Sequence, residues 1–251
     1  MGEWDLPKDI ETQSIERVGG GFLWESGVYD TSIKMVYLNQ TKSEAMWFNV
    51  ILTKNSGDMK ELRENFCIKS GKAKGYKTYF VTKEGKKRPL PGYQIAESMC
   101  IAATGENLDA CMKSKETKTV KVWNSEQKKE APAERSVIMG LVGKPVKVAV
   151  HQVIEDRTAP NASGVYVPTG EARTLNKCKF FGNMDGKTAE EITKKEAATM
   201  FTKWASKNTG AVINQATSVS SQGNNSASSI MSSAPTEETA AGSLFEKEPP
   251  I

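Results

Sequence analysis

The sequence predicts a mainly β domain in which one helix interrupts five strands, followed by a second helix and a disordered tail. Three observations support this prediction. Runs of β-branched and aromatic residues recur between residues 28 and 151, one run at 90–105 changes to helical spacing, and serine and asparagine are abundant from residue 211 onward. Three strands, one helix and two strands in this order fit a five-stranded OB-type barrel with the helix between strands 3 and 4. Another small antiparallel sheet with one helix also fits.

The strands and the first helix are predicted from composition and spacing. The second run, AMWFNVILT, is apolar on both faces and is expected at the centre of the sheet. The third strand is in two pieces, because the glycines of SGKAKG indicate a flexible or bulged hairpin tip. The helix follows Pro91 and can end at Gly105. The segment EQKKEAPAERSV is predicted to be a connector between the last two strands. The strands lie at 28–38, 45–53, 65–70 with 75–81, 118–123 and 145–151.

The second helix begins with a capping-box pattern. Thr188 opens the sequence T-A-E-E and Glu191 closes it, which satisfies free backbone N–H groups at a helix start. An approximate apolar stripe follows. We expect this helix to end near Lys207 and to pack on the barrel. The segment before it, 155–187, is polar and glycine-rich, and the sequence assigns it no role. The residues of the stripe are Ile192, Ala197, Phe201, Trp204 and Ala205.

The charge divides the chain into three parts. The 251 residues carry a net charge of +4, but residues 1–26 carry −4 and residues 210–251 carry −3, which leaves +11 for residues 27–209. We predict an acidic N-terminal arm at 1–26, an OB-type domain with a helical extension at 27–209, and a disordered Ser/Asn-rich tail at 210–251. A basic body between acidic ends suggests a polyanion partner, although solubility alone would also explain the charge.

The segment KSGKAKGYKTYFVTKEGKKRPLPGY (69–93) concentrates the positive charge. It holds eight lysines and arginines, three tyrosines and one phenylalanine, with Glu84 as its one acid. A solvated face would explain the lysines but not the rings. Single-stranded nucleic acid needs both, because lysines hold the phosphates and flat rings stack on the bases. The cations of the loop TKEGKKRP are expected to contact phosphates without base preference, and a plain solvated loop is the alternative.

Three strands place a flat ring beside a cation or a polar group on one face, because side chains alternate along a strand. The pairs that share a face are Lys77 with Tyr79, Lys121 with Trp123, and Asn49 with Trp47. The alternative is that these rings are core residues with lysine stems lying over them. The predicted nucleic-acid-binding residues are Lys69, Lys72, Lys74, Tyr76, Lys77, Tyr79, Lys83, Lys86, Lys87, Arg88, Lys118, Lys121, Trp123 and Trp47.

The sequence predicts no catalytic site, no metal site and no cofactor. His151 is the sole histidine and ends a strand, where a structural role is favoured over that of a base. With one histidine and no Cys-x-x-Cys pair, a zinc site is not expected. The cysteines have no short pairing pattern, so we interpret them as reduced thiols of a cytoplasmic protein. Neither a membrane span nor a secretory signal is predicted, because no long apolar run is present.

Five runs of the chain together resemble a known family. They are GVYDTSIKMVYLN, MWFNVILTKNSG, LPGYQIAESMCIAATG, KTVKVW and ERSVIMGLVGKPVKVAV. Their order and spacing, over residues 27–155, are similar to those of bacteriophage single-stranded DNA-binding proteins, particularly those of lytic phages that encode their own replication machinery. The resemblance implies an OB-fold, sequence-independent binding of single-stranded DNA in the host cytoplasm, and roles in DNA replication, recombination and repair.

The chain ends in GSLFEKEPPI, which combines acidic and apolar residues. We predict that this tip is a docking peptide on a flexible tether for replication, recombination or transcription proteins, and an arbitrary ending is the alternative. The tip is similar in logic to that of bacterial single-stranded DNA-binding proteins. It departs from them because it has fewer acids, contains Lys247 and ends in isoleucine. The predicted partner-binding residues are Phe245, Glu246, Glu248, Pro249, Pro250 and Ile251.

Three other functions fit the sequence less well. OB-type barrels also bind RNA. Scattered acids can build the metal site of a nuclease, although no such spacing is recognised in the sequence. A protein-binding adaptor would leave the basic middle of the chain unexplained. Competition between DNA and RNA, incubation of labelled DNA with magnesium, and loss of DNA binding at moderate salt would separate these three from the first prediction.

Overall fold

The fold is that of a computed structural model, which describes residues 23–57, 60–124, 129–162 and 166–217. The side chains of Trp123 and Asn124 fall outside this description. So do most of the predicted acidic arm, most of the predicted tail and the whole acidic tip. Strands account for 51% of the described residues and helices for 22%, which confirms the prediction of a mainly β fold.

Strands form the body, and helices lie between and after them in the chain. Within the described ranges the strands are β1 (Gly27–Gln40), β2 (Met46–Lys54), β3 (Glu61–Lys69), β4 (Tyr79–Val81), β5 (Lys87–Pro89), β6 (Lys115–Asn124), β7 (Lys129–Ile138), β8 (Pro145–Pro160), β9 (Tyr166–Gly182) and β10 (Val212–Asn214). The helices there are α1 (Pro91–Thr104), α2 (Leu108–Met112), α3 (Ala189–Lys194) and α4 (Met200–Asn208). None of these helices is long and apolar enough to cross a membrane.

Strand β1 organises the main sheet because it is long and pairs along both edges. β2 runs antiparallel along one edge. On the other edge, Gly27–Ser32 pairs with β8, and Tyr37–Leu38 pairs with β7. The register shifts between Ile33 and Met35, which lie between these two contacts. The described part of the main sheet has eight strands, with the order β3–β2–β1–β8–β9, the β6–β7 hairpin beside β1, and β10 parallel to β8.

The closed five-stranded barrel is not confirmed, because the sheet is open in the described residues. Its outer strands β3 and β9 approach each other, but side chains rather than paired backbones join them. The Glu64 carboxylate accepts a hydrogen bond from the backbone N–H of Cys178 at 3.0 Å, and the rings of Phe66 and Phe181 meet edge to face at 6.4 Å. Burial raises the pKa of Glu64 to about 7, although this hydrogen bond acts in the opposite direction.

The core lies between the main sheet and α1. Phe48, Val50 and Leu52 alternate along β2 and belong to this core, and Ile51 on the other face of the strand is also buried. The first turn of α1 lies close to β3, since a Cβ on Gly92 would be 2.4 Å from the carbonyl oxygen of Cys67. A residue without a side chain therefore allows the helix to cover the core at this point.

Both predicted helix starts are confirmed. α1 occupies the predicted helical segment, and Gly105 ends it with a left-handed φ of 77° and an N–H donated to the carbonyl of Ile101. Thr188 and Glu191 form the predicted capping box at the start of α3. The prediction of a single C-terminal helix is wrong, because Lys195 takes a left-handed φ of 57° and separates α3 from α4.

Two polar segments to which the sequence analysis assigned no strand contain strands. The predicted connector EQKKEAPAERSV contains most of β7, in which half-buried Ala131 and Ala133 alternate with exposed residues. The segment 155–187 contains the end of β8 and all of β9. These strands lack the long apolar runs by which strands are recognised, because much of their surface is exposed. Conversely, the strand piece predicted at 75–81 is a strand only at Tyr79–Val81.

The sheet and core include residues on both sides of the predicted 27–209 domain. Trp24, in the predicted acidic arm, is 1% exposed. The backbone N–H of Trp24 donates to the side-chain oxygen of Asn176 at 2.7 Å, and the backbone carbonyl of Trp24 accepts from the side-chain amide of Asn176 at 2.6 Å. Strand β10, in the predicted tail, pairs with residues 152–154 of β8. These flanking residues therefore belong to the folded body.

Helix α4 packs on β8 and β9, which confirms that a C-terminal helix covers the sheet. The Trp204 ring meets His151 at 4.7 Å and Phe180 at 6.0 Å, and Phe201 lies 4.8 Å from Phe180. Burial lowers the pKa of His151, and the nearby Lys179 lowers it further. His151 is thus part of the packing between the helix and the sheet.

Candidate nucleic-acid interface

Strands β4 and β5 form a small sheet of their own, and we call them, with the turn between them, the basic hairpin (residues 79–89). The hairpin is held at its base. Ser70 and Lys77 are joined twice, because the Ser70 N–H donates to the Lys77 carbonyl at 2.9 Å and the Lys77 N–H donates to the Ser70 hydroxyl at 2.8 Å. The Leu90 N–H donates to the Thr78 carbonyl at 2.9 Å. The hairpin is therefore attached to the body through its base.

The loop before the hairpin is fixed to the β1–β2 turn. The Lys72 N–H donates to the Ser43 carbonyl at 2.9 Å, and the Tyr76 hydroxyl donates to the Glu44 carboxylate at 2.6 Å. A Cβ on Gly71 would lie 2.2 Å from the Ser43 carbonyl oxygen, so glycine is required for this approach. Tyr76 itself has a left-handed φ of 56°, which is uncommon for tyrosine and is held here by these contacts.

Lysine amines lie over two of the tyrosine rings in this region. The Lys69 amine is 5.7 Å from the ring centroid of Tyr76. The amines of Lys77 and Lys87 are 5.9 Å and 5.1 Å from the ring centroid of Tyr79. These distances are within the cation–π range of about 6 Å. The predicted pairing of Lys77 with Tyr79 is thus present, and folding brings Lys87 to the same ring.

Six exposed cations of this region have no carboxylate within ion-pair distance in the part of the chain that the structure describes. They are Lys72, Lys77, Lys83, Lys86, Lys87 and Arg88. Glu84 is the acid of the hairpin turn, and its carboxylate accepts a hydrogen bond from the Thr82 hydroxyl at 3.2 Å. Exposed charges of one sign without a neighbouring counter-charge produce a positive potential that attracts anions.

Trp47 extends this surface onto the main sheet. Its register partners are Asn39 on β1 and Cys67 on β3, and Cys67 lies two residues before Lys69 on the same strand. The ring is half-buried, and its indole N–H has no hydrogen-bond partner among the described residues. The Asn49 amide donates to the Trp47 carbonyl at 3.3 Å. The register shifts between Trp47 and Met46, and Met46 is the partner of Lys69. Trp47 therefore lies one ladder step from Lys69, whose amine is over the Tyr76 ring.

The predicted site residues on β6 belong to a different hairpin. β6 and β7 extend from the edge of β1 opposite to β2, whereas the basic hairpin follows β3. Lys118 forms an ion pair with Glu116 at 2.7 Å, and Lys121 is exposed. Trp123 lies opposite Glu130 in the register, and its side chain is not described. The predicted site residues of the segment 69–88 therefore lie together, whereas Lys118, Lys121 and Trp123 lie on a separate hairpin.

One face of the basic hairpin carries two apolar residues that the sequence analysis did not select. The register places Tyr79 opposite Pro89 and Val81 opposite Lys87, so these side chains share a face. Val81 is 49% exposed, and Pro89 is also exposed. Alternation along the strand from Tyr79 would have identified Val81. Pro89 could be placed only after the position of the turn was known.

The exposed chemistry of this surface is that of a binding site, with ammonium groups, a guanidinium group and aromatic rings. Across the described ranges, no group of three or more histidine, cysteine, aspartate or glutamate side chains is placed to hold a metal ion. All four cysteines lie within those ranges as free thiols. Burial raises the pKa of Cys100 and of Cys178, which disfavours their reactive thiolate forms.

Neither a scan against protein-family models nor a search of curated proteins gave a match to this chain. The arguments for its function therefore come from its fold and its chemistry. Together these define a mainly β protein with a cationic and aromatic surface on a hairpin outside the main sheet.

Proposed function

We propose that the protein binds single-stranded DNA without sequence preference, and that it coats and protects unpaired DNA during phage DNA replication, recombination and repair. One observation carries the proposal: lysine amines lie over the rings of Tyr76 and Tyr79, in a region where six exposed cations, Lys77 and Lys87 among them, have no ion-pair partner among the described residues. A polyanion with accessible flat bases is the ligand that uses both features at once.

Unpaired bases fit this surface better than paired ones. Bases in a duplex are stacked on one another and present only their edges in the grooves, whereas a single strand can offer the face of a base to a ring. Lysine amines are compact charges on flexible stems, and they hold phosphates of any sequence. This combination supports binding that depends on the unpaired state and not on the base sequence.

The OB-type barrel is part of this proposal. It is supported by the order of the elements, in which α1 follows the third strand of the main sheet once the separate β4–β5 hairpin is set aside. It is also supported by β1, which pairs with two parts of the sheet along one edge. The contact of Glu64 with Cys178 brings the outer strands β3 and β9 together. OB-folds bind oligonucleotides on the face formed by their second and third strands. Here Trp47 on β2 and Lys69 on β3 lie one ladder step apart, across a shift in the register.

A fluorescence titration of the full chain with oligo-dT at two salt concentrations tests the proposal. The five tryptophans supply the signal. We expect saturable binding that weakens as salt rises, similar affinities for oligo-dT and oligo-dC, and weak competition by a duplex of the same length. Preferential binding of the duplex, or no binding of oligo-dT at moderate salt, would contradict the proposal.

The same assay separates the alternative functions. Stronger competition by oligo-rU than by oligo-dT would identify RNA as the ligand. Cleavage of labelled oligo-dT in the presence of magnesium would reveal a nuclease. If DNA does not bind at moderate salt although the chain is folded, a protein-binding adaptor is favoured.

Tyr79→Ala is expected to weaken oligo-dT binding by about 1–3 kcal/mol, or roughly 5- to 150-fold, because one base loses its stacking partner. Lys77 and Lys87 remain to hold phosphates. Tyr79→Phe is the matched control, since it keeps the ring, and we expect it to bind like the wild type. Titration with oligo-dT measures the affinities, and thermal unfolding checks the fold of each variant. Equal affinity of the alanine variant and the wild type would exclude Tyr79 from the site.

Gly71→Ala is expected to weaken oligo-dT binding by about tenfold, or 1.4 kcal/mol. The added Cβ would lie 2.2 Å from the Ser43 carbonyl oxygen, so the loop must move and Tyr76 must leave its contact with Glu44. Gly57→Ala is the control: its left-handed φ of 81° makes alanine unfavourable there as well, but a Cβ at Gly57 meets no atom within 4 Å, so we expect some loss of stability and no loss of oligo-dT affinity. Unchanged affinity of Gly71→Ala, with the fold intact, would show that the position of this loop does not matter for binding.

The proposed partner site lies in the acidic tip, residues 242–251, outside the described residues. Its role in recruiting replication, recombination or transcription proteins therefore remains a proposal from the sequence, as does the cytoplasmic location. Deletion of the tip followed by partner pull-down is the corresponding assay.

A further inference from the structure

The basic hairpin carries an exposed apolar side chain beside its turn that neither stacking nor phosphate binding uses. Val81 ends β4 next to the turn, and it is 49% exposed. The turn that follows contains Lys83 and Lys86, and Lys87 lies opposite Val81 in the register. An apolar group surrounded by cations is suited to a ligand that has phosphates around an apolar surface. The end of a DNA duplex, where the last base pair exposes its flat face, is such a ligand.

We propose that Val81 acts as a wedge at the junction between single-stranded and duplex DNA. This inference rests on the proposed function, because the unpaired arm of the junction must first bind the hairpin. Val81 and Tyr79 share one face and are two residues apart, which places their Cα atoms about 7 Å apart along the strand. When a base of the unpaired arm stacks on Tyr79, Val81 is the next side chain on that face and meets the first base pair.

The charges of the hairpin suit the two strands that separate at a junction. Lys87 and Arg88 are consecutive on β5, so they point to opposite faces of the hairpin. Lys87 lies on the face of Tyr79, and Arg88 lies opposite Phe80 on the other face. Neither has an ion-pair partner in the described residues. Phosphates of the two diverging strands can therefore be held on the two faces while Val81 lies between the strands.

The energetic logic requires no ATP. Proteins that separate or bend base pairs commonly insert an apolar side chain at a base step and offset the lost stacking by contacts to the deformed DNA. Here the contacts are those of the unpaired strand with the rings and lysines. Preferential binding of the unpaired state then shifts the equilibrium of the first base pair toward opening.

A forked DNA tests the wedge. It consists of a short duplex with an oligo-dT arm, and it carries 2-aminopurine either in the first base pair or in the third. Saturating wild-type protein is expected to raise the fluorescence of the probe in the first pair and to leave the third pair nearly unchanged. Val81→Thr keeps the β-branched shape but adds a hydroxyl, and we expect about half the wild-type rise or less. Val81→Ile, which stays apolar, is expected to retain the rise.

Two comparisons make the result specific. Val212→Thr is the matched control, because Val212 is also 49% exposed but lies on β10, and we expect it to open the fork like the wild type. Affinity for oligo-dT alone is measured in parallel, and Val81→Thr is expected to remain within about twofold of the wild type. An equal rise with Val81→Thr and the wild type would overturn the wedge. The wedge would also be overturned if Val81→Thr lost oligo-dT affinity by the same factor as it lost the rise in 2-aminopurine fluorescence, because Val81 would then belong to the single-strand site. Failure of the wild type to bind oligo-dT would overturn the proposed function itself, and the wedge with it.

Discussion

Replacing Lys86, Lys87 and Arg88 together by alanine is expected to weaken oligo-dT binding by about a hundredfold at 0.1 M salt. Each phosphate neutralised on a single strand adds about −0.7 to the slope of log affinity against log salt, so three contacts account for a slope of about −2. At 0.1 M salt this slope corresponds to about two powers of ten relative to 1 M. The three side chains are exposed and have no ion-pair partner within the described ranges, so their charges are available to DNA.

Titrations over a series of salt concentrations measure both the affinity and the slope. A matched control removes the same charge elsewhere, through the triple substitution of Lys113, Lys203 and Lys207 by alanine. These lysines are exposed on or next to α2 and α4, away from the basic hairpin in the chain. We expect the control to change the slope little. The hairpin triple should weaken oligo-dT and oligo-dC alike, and an unchanged slope would remove the hairpin from the site.

Stacking and charge make separable contributions on this surface. Loss of the Tyr79 ring should lower the affinity by a similar factor at every salt concentration, because no phosphate contact is removed. Loss of the cations should change the slope itself. Lys87 belongs to both groups, since its amine lies 5.1 Å from the Tyr79 ring. We therefore expect the effects of Tyr79→Ala and of a Lys87 substitution to be non-additive.

The elements that the sequence predicts well are those with a strong local signal. The apolar run AMWFNVILT predicted a central strand, and β2 lies between β1 and β3 with Phe48, Val50 and Leu52 buried. α1 begins at Pro91 and ends before Gly105, and α3 begins at a capping box. In each case a few neighbouring residues determine the backbone, so the prediction does not depend on distant parts of the chain.

The elements that the sequence analysis missed depend on distant partners. β7 and β9 carry polar residues and become strands because β6 and β8 pair with them. Trp24 lies in an acidic segment, yet it is buried through reciprocal hydrogen bonds with Asn176, 152 residues further along. The Glu64 carboxylate reaches the Cys178 N–H across 114 residues. Contacts of this kind leave no local pattern in the sequence. The sequence therefore could not distinguish a closed barrel from an open sheet whose outer strands, β3 and β9, meet through side chains.

In the candidate site too, some residues are placed by a local pattern and others only by the fold. Lys77 and Tyr79 were placed together by strand alternation, and their contact is present although the strand begins only at Tyr79. Lys87 reaches the same ring through the hairpin turn, and Tyr76 depends on the contact of its loop with Glu44. Charge composition therefore located the segment, whereas the arrangement of cations over rings required the fold.

Glu191 joins α3 to α4, the helix that packs on β8 and β9. It is 5% exposed, and its carboxylate accepts hydrogen bonds from the N–H groups of Thr188 and Thr199 at 2.8 Å and of Met200 at 3.0 Å. The hydroxyl groups of the two threonines also donate to it. These donors lie at the starts of α3 and α4, where free N–H groups and the helix dipoles favour a negative charge.

Burial alone would raise the pKa of Glu191, but the backbone N–H groups that donate to it outweigh burial and lower the pKa to about 2 from an ordinary value of 4.5. The folded protein therefore binds this proton less readily than the unfolded chain does. The contribution of the carboxylate to stability is complete above pH 4.5, and it is lost progressively as the pH falls from 4.5 toward 2.

Glu191→Ala is expected to lower the free energy of unfolding by about 3 kcal/mol at neutral pH, because buried N–H groups lose a charged acceptor. Urea denaturation followed by tryptophan fluorescence measures this loss, since Trp204 lies on α4. Glu190→Ala is the control, because it removes an exposed neighbouring carboxylate and its ion pair with Lys194, and it should change stability by less than about 0.5 kcal/mol. The difference between the wild type and Glu191→Ala should shrink as the pH falls from 4.5 toward 2. A difference that stays constant over this interval would show that the charge of Glu191 does not join the helices.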